Sequence, residues 1–484
     1  MAGTAPIDVY HHVRKEFAEL RKQSGAMLRR SFEVLSSPAP KSKTDISFSV
    51  FNPVQWSRNE YIELTFKSKY KHFEIFDSSG STVESQILSA SKGTVSLLCY
   101  IADIPAFSSR TIIVRAGIKR TPPPSLWRVS PYSIETPMYK IRFDKKGGIS
   151  SLFAKQLRRD IVLAGKRVNI FSVLRDPGKH IEIPETEIDA EQPRPELWNF
   201  KSFKFIELGP LRATIRMEYR SEHHSMLSQN IHLYHKSPRI DFATNIKLHE
   251  KQVSLRAAFP LNVKTGSITV ETQGGVLQYS TKGSEKDEIP AQQWADISDA
   301  KCGISILNDS KYGYTVKDST LSLSLLRSSQ YPKHQDPKKE PEPAFVDLGE
   351  HSFTYALYPH TGTWKTAHTI KNARFFNTKL SILPERIFHL PDPILEIDKP
   401  NIIIDTVKKS EDSDAVVIRV HEGYGQTTDA TLVFGLDVKN VAECDLLENV
   451  LKDHRTAKSR LSLHFKPFEI KTLKFTGRVI KRGE

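Results

Sequence analysis

Beyond residue 45 this chain is written in short runs of two-residue alternation, and that pattern confines it to antiparallel β structure. Ile46-Ser47-Phe48-Ser49-Val50-Phe51, Tyr61-Ile62-Glu63-Leu64-Thr65-Phe66, Val95-Ser96-Leu97-Leu98 and Thr111-Ile112-Ile113-Val114 stand between turn residues. Alternate side chains of a strand lie on opposite faces, so each run offers one apolar face and one polar face. These four predict a small β-sandwich over 41–120. The middle, 126–392, continues with Met138-Tyr139-Lys140-Ile141-Arg142-Phe143, Ala213-Thr214-Ile215-Arg216-Met217-Glu218-Tyr219 and Asn230-Ile231-His232-Leu233-Tyr234. No comparable helical run interrupts them, which points to a large antiparallel super-sandwich rather than βαβ units. Ile402-Ile403-Ile404, Val416-Val417-Ile418-Arg419-Val420 and Thr431-Leu432-Val433-Phe434 predict a further β-sandwich over 400–484. The expected fold class is therefore mainly β.

Punctuation falls between these blocks. Thr121-Pro122-Pro123-Pro124-Ser125 reads as a stiff linker. Gln330 to Asp347, rich in Pro, Lys, Glu and Gln, reads as a mobile loop. Pro384, Pro391, Pro393 and Pro400 precede the last block. The one long helical pattern lies over 8–36, where Val9, Val13, Phe17, Leu20, Met27, Leu28 and Phe32 recur mostly at spacings of three, four and seven. A lone helix cannot bury its own stripe. The segment 1–40 is thus expected to dock on something else.

At 484 residues the chain has ample length for a buried core. No window approaches the roughly 18 apolar residues of a membrane span, and Met1-Ala2-Gly3-Thr4-Ala5-Pro6-Ile7-Asp8 lacks a basic stretch followed by an apolar one. Cys99, Cys302 and Cys444 are odd in number and far apart, which suits a reducing compartment and predicts a cytoplasmic address. The formal charge of +14 raises nucleic-acid binding. The basic residues are spread, however, the denser groups being Lys67, Lys69, Lys71 and Lys481-Arg482. A solvated basic surface with neither a nucleic-acid nor a membrane partner is the expectation.

The titratable groups form no evident catalytic set. His334-Gln335-Asp336 sits in the Pro/Lys-rich loop without a neighbouring ligand motif. His232 and His235 are three apart on a predicted strand and so face opposite sides. His11-His12 and His223-His224 read as solvent-facing pairs, and Glu185, Glu187, Asp189 and Glu191 as one solvated strand face.

Larger blocks carry more information. Gln293-Trp294-Ala295-Asp296-Ile297-Ser298, Gly303-Ile304-Ser305-Ile306-Leu307-Asn308-Asp309-Ser310-Lys311-Tyr312-Gly313-Tyr314 and Leu323-Ser324-Leu325-Leu326-Arg327 come in that order. They are preceded by Val50-Phe51-Asn52-Pro53-Val54-Gln55-Trp56-Ser57-Arg58 and followed by Tyr355-Ala356-Leu357-Tyr358-Pro359-His360-Thr361-Gly362 and Lys466-Pro467-Phe468-Glu469. Together these resemble, in family order, the C-terminal half of glycoside hydrolase family 38, the class II α-mannosidases, in their cytosolic and bacterial branch. The resemblance implies a galactose-mutarotase-like super-sandwich. It also implies retaining hydrolysis of terminal α-mannosides, which needs two carboxyl groups roughly 5–5.5 Å apart and, in this family, a zinc ion held by His and Asp. In the family those groups come from an N-terminal catalytic domain. This sequence is therefore expected to hold no metal or catalytic residues of its own and to require a separate catalytic chain, with an oligomer open. Arg327 matches the place from which the family's sandwich sends an arginine toward the sugar, a task suited to fixed guanidinium donors; the plain alternative is a surface strand arginine. Tyr279-Ser280-Thr281 and Pro184-Glu185-Thr186-Glu187-Ile188-Asp189 depart from the family's rim motifs. A non-catalytic carbohydrate-binding or scaffolding protein, or a truncated reading frame, are the alternative readings.

Overall fold

The structure, a computed structural model, describes residues 7–42, 44–117, 126–176, 198–281, 288–317, 319–331, 344–390 and 393–479. The linker at 121–125, His334 and Asp336, the stretch from Pro184 to Glu191 and the Lys481-Arg482 tail lie outside these residues. The chain is mainly β, with two α-helices, Ile7–Leu35 and Thr369–Asn377, among the described residues. It divides into two compact units. One comprises Met1–Arg30, Pro123–Val270 and Gln278–Thr369; the other comprises Ser31–Pro122, Glu271–Leu277 and Ile370–Glu484.

In the first unit, strands Ile170–Arg175, Val253–Pro260, Thr320–Arg327, Gly313–Lys317 and Ile289–Pro290 form a sheet in that order. A nine-stranded sheet includes, as successive neighbours, Asn199–Leu208, Arg212–Arg220, Met226–Tyr234, Ile240–Leu248, Gly349–Thr361, Cys302–Asn308 and Trp294–Ser298. The pairings among these named strands are antiparallel. Alternation does what the sequence promises: Ile215, Met217, Ile231, Phe242, Leu323 and Tyr355 join one buried core, while their neighbours leave it. Each large side chain taken fully from water contributes about 1.5–3 kcal/mol.

The second unit holds two sandwiches. Strands Ser381–Pro384, Asp45–Phe51, Ser109–Ala116 and Phe73–Asp77 form one sheet, and Arg58–Lys67, Thr94–Ile104 and Ser85–Ser91 another, with Phe48, Val50, Leu64, Ile75, Leu97 and Val114 buried together. Toward the C-terminus a three-stranded and a five-stranded sheet bury Ile418, Leu432, Phe465 and Leu473. The compact units cut across the sequence blocks: Glu271–Leu277 and the residues from Ile370 fall in the second unit, and Met1–Arg30 in the first. Ser381–Pro384 lies within the 126–392 block, yet Phe48 pairs with Pro384 and Phe51 with Ser381. The reason is physical: a short apolar run states that it needs a neighbour to satisfy its backbone N–H and C=O groups, but not which one.

The helix predicted over 8–36 is present. Phe32 is its buried residue, packed against the rings of Phe51 and Phe388 at centroid distances of 5.9 and 5.4 Å. Phe17 and Leu20 are 59% and 53% exposed. Replacing both by Ser is expected to change unfolding free energy by no more than about 0.5 kcal/mol, the range of surface substitutions. A large loss in urea titration would show that the stripe belongs to this chain's own core.

One ionic cluster braces the C-terminal sandwich. Lys408 Nζ lies 2.8 Å from Glu448 Oε1, Ser410 Oγ donates to Glu448 Oε2 at 2.8 Å, and Lys474 Nζ donates to Asp412 Oδ1 at 2.6 Å. The hydrogen bonds from Lys408 and Ser410 hold the Glu448 carboxyl down to about 2, and those from Lys474 and Ser410 do the same for Asp412. Both groups titrate near 4 when unfolded. Their contribution is thus complete above about pH 4 and is lost as pH falls through about 2. Glu448→Gln should flatten stability against pH in that window, measured by denaturant titration at successive pH values; an unchanged slope would remove the cluster from the acid response.

Candidate functional site

Thr320–Arg327 is the middle strand of its five-stranded sheet, and its pattern contains a deliberate irregularity. Leu321, Leu323 and Leu325 face the core, so strict alternation would send residue 327 inward too. The register shifts opposite the Leu255/Arg256 step: Leu255 pairs with Leu326 and Arg256 with Ser324, leaving Leu325 as the extra residue. This bulge reverses the parity, so Leu326 is buried and Arg327 emerges on the polar face with Arg256 and Ser324. The doubled leucine in Leu325-Leu326-Arg327 is the sequence signal of that switch.

The guanidinium of Arg327 is held by Asp176. Nε donates to Oδ2 at 2.6 Å and Nη2 approaches Oδ1 at 3.4 Å; the Arg327 side chain is 38% exposed and that of Asp176 only 4%. Backbone bonds fix both ends, since Asp176 N donates to Gln252 O at 2.8 Å and Gln252 N to Ser328 O at 2.8 Å. Arg327 N also donates to Asp347 Oδ2 at 3.2 Å. The Nη1 donors have no hydrogen-bond partner among the described residues. A guanidinium oriented on one edge and open on another can position a polyol by paired hydrogen bonds. Beside it, burial of the Arg256 cation lowers its pKa, opposed by Glu288 and reinforced by repulsion from Arg327. Lys311 is likewise lowered by burial, against the attraction of Asp347, and lies 4.4 Å from the centre of the Phe353 ring.

The other candidates stay apart. His232 Nδ1 is 2.9 Å from Thr214 Oγ1, whereas His235 lies buried beyond the strand end. His11, His12, His223 and His224 are exposed, with His12 Nε2 3.2 Å from Glu16. No three His, Cys, Asp or Glu side chains gather as a metal-ligand set among the described residues. Cys99, Cys302 and Cys444 are buried free thiols, and burial pushes that of Cys99 up to about 12. No helix among the described residues is long and apolar enough to cross a membrane.

A buried polar cluster escaped the sequence reading although Asp296, Ser305 and His360 lie in the blocks quoted above. Ser305 Oγ and His360 Nε2 both donate to Asp296 Oδ2, at 2.7 and 2.8 Å, and Thr369 Oγ1 is 3.0 Å from Ser305 Oγ. Asp296, Ser305 and Thr369 are at most 1% exposed, His360 5%. The imidazole lies close against Gly303, where a Cβ would meet its Cε1 at 2.3 Å; only glycine admits the ring. Both donors converge on one carboxylate oxygen, so Asp296 does not orient His360 toward Ser305 as a nucleophile's base would be oriented. The cluster ties strands Trp294–Ser298, Cys302–Asn308 and Gly349–Thr361 together.

Sandwiches of antiparallel sheets around separate apolar cores define the molecule as a multi-sandwich β protein. Residues 134–335 match the glycosyl hydrolases family 38 C-terminal domain, and residues 401–473 match the family 38 C-terminal beta sandwich domain. The chain is 30% identical over 361 residues to alpha-mannosidase G of Dictyostelium discoideum and 31% identical over 359 residues to alpha-mannosidase 2C1 of Homo sapiens. These matches cover 71% and 70% of this chain but 32% and 33% of those proteins, so it spans about a third of the length of the curated relatives it matches. An alpha-mannosidase of Enterococcus faecalis has the same fold, with a TM-score of 0.71 at 15% identity over 93% of this chain and 58% of the solved one. The chain belongs to glycosyl hydrolase family 38, as its C-terminal, β-rich half.

Proposed function

We propose that this chain is the β-rich half of a cytoplasmic α-mannosidase, acting with a family 38 catalytic domain that supplies the carboxylate pair and the zinc ligands. The similarity to two α-mannosidases over about 360 residues carries the reading, and three reduced, buried cysteines support the address. Within it, Arg327 is the residue offered to the substrate. Its bulge-directed exit from the core, the grip of Asp176 and the open Nη1 edge support that role. The test is to purify the chain with and without a family 38 catalytic domain and follow release of nitrophenol from an aryl α-mannoside. Turnover is expected only with both parts present. Turnover by the chain alone, or none by the assembled pair, would overturn the proposal.

A further inference from the structure

The open face of the nine-stranded sheet carries a trough of about 830 Å³, unrelated to Arg327. Its floor is one row of side chains set by register across five strands. Ser202 stands opposite Glu218, Glu218 opposite Ser228, Ser228 opposite Asn245, and Asn245 opposite Ser352. Paired residues share a face, and neighbouring residues such as Met217, Tyr219, Leu227 and Ile246 turn the other way into the core. Four strand spacings make the row about 19 Å long.

The row is half-satisfied in a particular way. Ser202 Oγ donates to Glu218 Oε2 at 2.6 Å, and Ser352 Oγ donates to Asn245 Oδ1 at 2.6 Å. Those bonds fix the carboxylate and the amide. They leave Glu218 Oε1 as an acceptor, Asn245 Nδ2 as a donor and the Ser228 hydroxyl as either, none with a partner among the described residues. The adjoining row runs Arg220, Met226, Lys247 and Glu350. Met226 is 42% exposed, a soft apolar surface beside the polar floor.

We propose that this trough binds a linear neutral oligosaccharide lying across the strands. Hydroxyl groups that both donate and accept match a row that offers both, and the length suits several sugars in a line. The placement of charge disfavours an anionic ligand. Three cations, Lys201, Arg220 and Lys247, line the trough with two carboxylates, Glu218 and Glu350, but Glu218 sits in the row itself. A sulfated or phosphorylated chain would therefore lie against a carboxylate.

Isothermal titration of the full chain with linear mannotetraose and with maltotetraose tests this, with a heparin tetrasaccharide as the anionic comparison. Saturable binding of at least one neutral tetrasaccharide is expected, with no competition from heparin. Asn245→Ala and Glu218→Gln should each weaken it about tenfold, the value of roughly one lost polar contact. Arg327→Ala should leave it unchanged, which separates this surface from the role proposed for that arginine. Melting curves check that the variants fold; Asn245 is exposed, so Asn245→Ala carries the test even if the other variant does not. Absence of binding by either neutral tetrasaccharide, full affinity in the folded variants, or tighter binding of heparin overturns the proposal.

Discussion

Asp296→Ala should be the most damaging single substitution discussed for this chain. It removes the shared acceptor of Ser305 and His360 in a place where neither donor has access to water. A buried donor left short of its acceptor costs about 1–3 kcal/mol, and His360 Nε2 and Ser305 Oγ would be left with only each other, 3.2 Å apart, and Thr369 Oγ1. The loss also leaves a void beneath strands that pair on both sides. The expected result is a drop of about 3 kcal/mol in unfolding free energy, from the lost acceptor and the void together. Asp296→Asn should do less harm, because its carbonyl oxygen still accepts one of the two bonds. Gly303→Ala attacks the same cluster from the ring's other face, since its methyl would overlap the imidazole. Chemical denaturation of the three variants, followed by tryptophan fluorescence, checks the order. If Asp296→Ala melts with the parent chain, the cluster is not a structural tie.

Under the proposed pairing with a family 38 catalytic domain, Arg327→Ala is expected to reduce kcat/KM by roughly ten- to 150-fold, corresponding to about 1.5–3 kcal/mol for hydrogen bonds from a charged group. The structure adds a second consequence. Asp176 is buried, and deleting Arg327 takes a guanidinium donor from that carboxylate. Some loss of stability is therefore expected as well, and activity must be compared at matched folded fraction. Arg327→Lys separates the two effects. An ammonium preserves the charge beside Asp176 and most of the stability, but cannot provide a grip on one edge and donors on another. The lysine variant should thus fold like the parent and still turn over slowly. Asp176→Asn should weaken turnover by loosening the guanidinium rather than removing it. Parental kinetics in folded Arg327→Ala complex would return the residue to a surface strand arginine tied to an aspartate.

Much of this architecture was legible in the residues themselves. Two-residue alternation announces strands and their inward faces, because a pleated backbone has no other way to separate apolar from polar side chains. The three sandwich cores follow from it, and the helix at Ile7–Leu35 follows from apolar spacings of three, four and seven. Family membership was readable from ordered blocks such as Gln293 to Ser298 and Tyr355 to Gly362.

Tertiary structure alone decided the rest. Period-two runs do not name their partners, so the placement of Ser381–Pro384 beside Asp45–Phe51 had to come from backbone hydrogen bonding across more than three hundred residues. Position alone singled out Arg327 as an expectation, but the carboxylate that holds it, Asp176, lies 151 residues away and carries no local motif. The Asp296–Ser305–His360 tie and the polar row from Ser202 to Ser352 are likewise cross-strand objects. The sequence by itself determined which faces are apolar and where strands fall, since those depend on neighbours along the chain. Which side chains meet depends on register, and register is settled only when the sheets close.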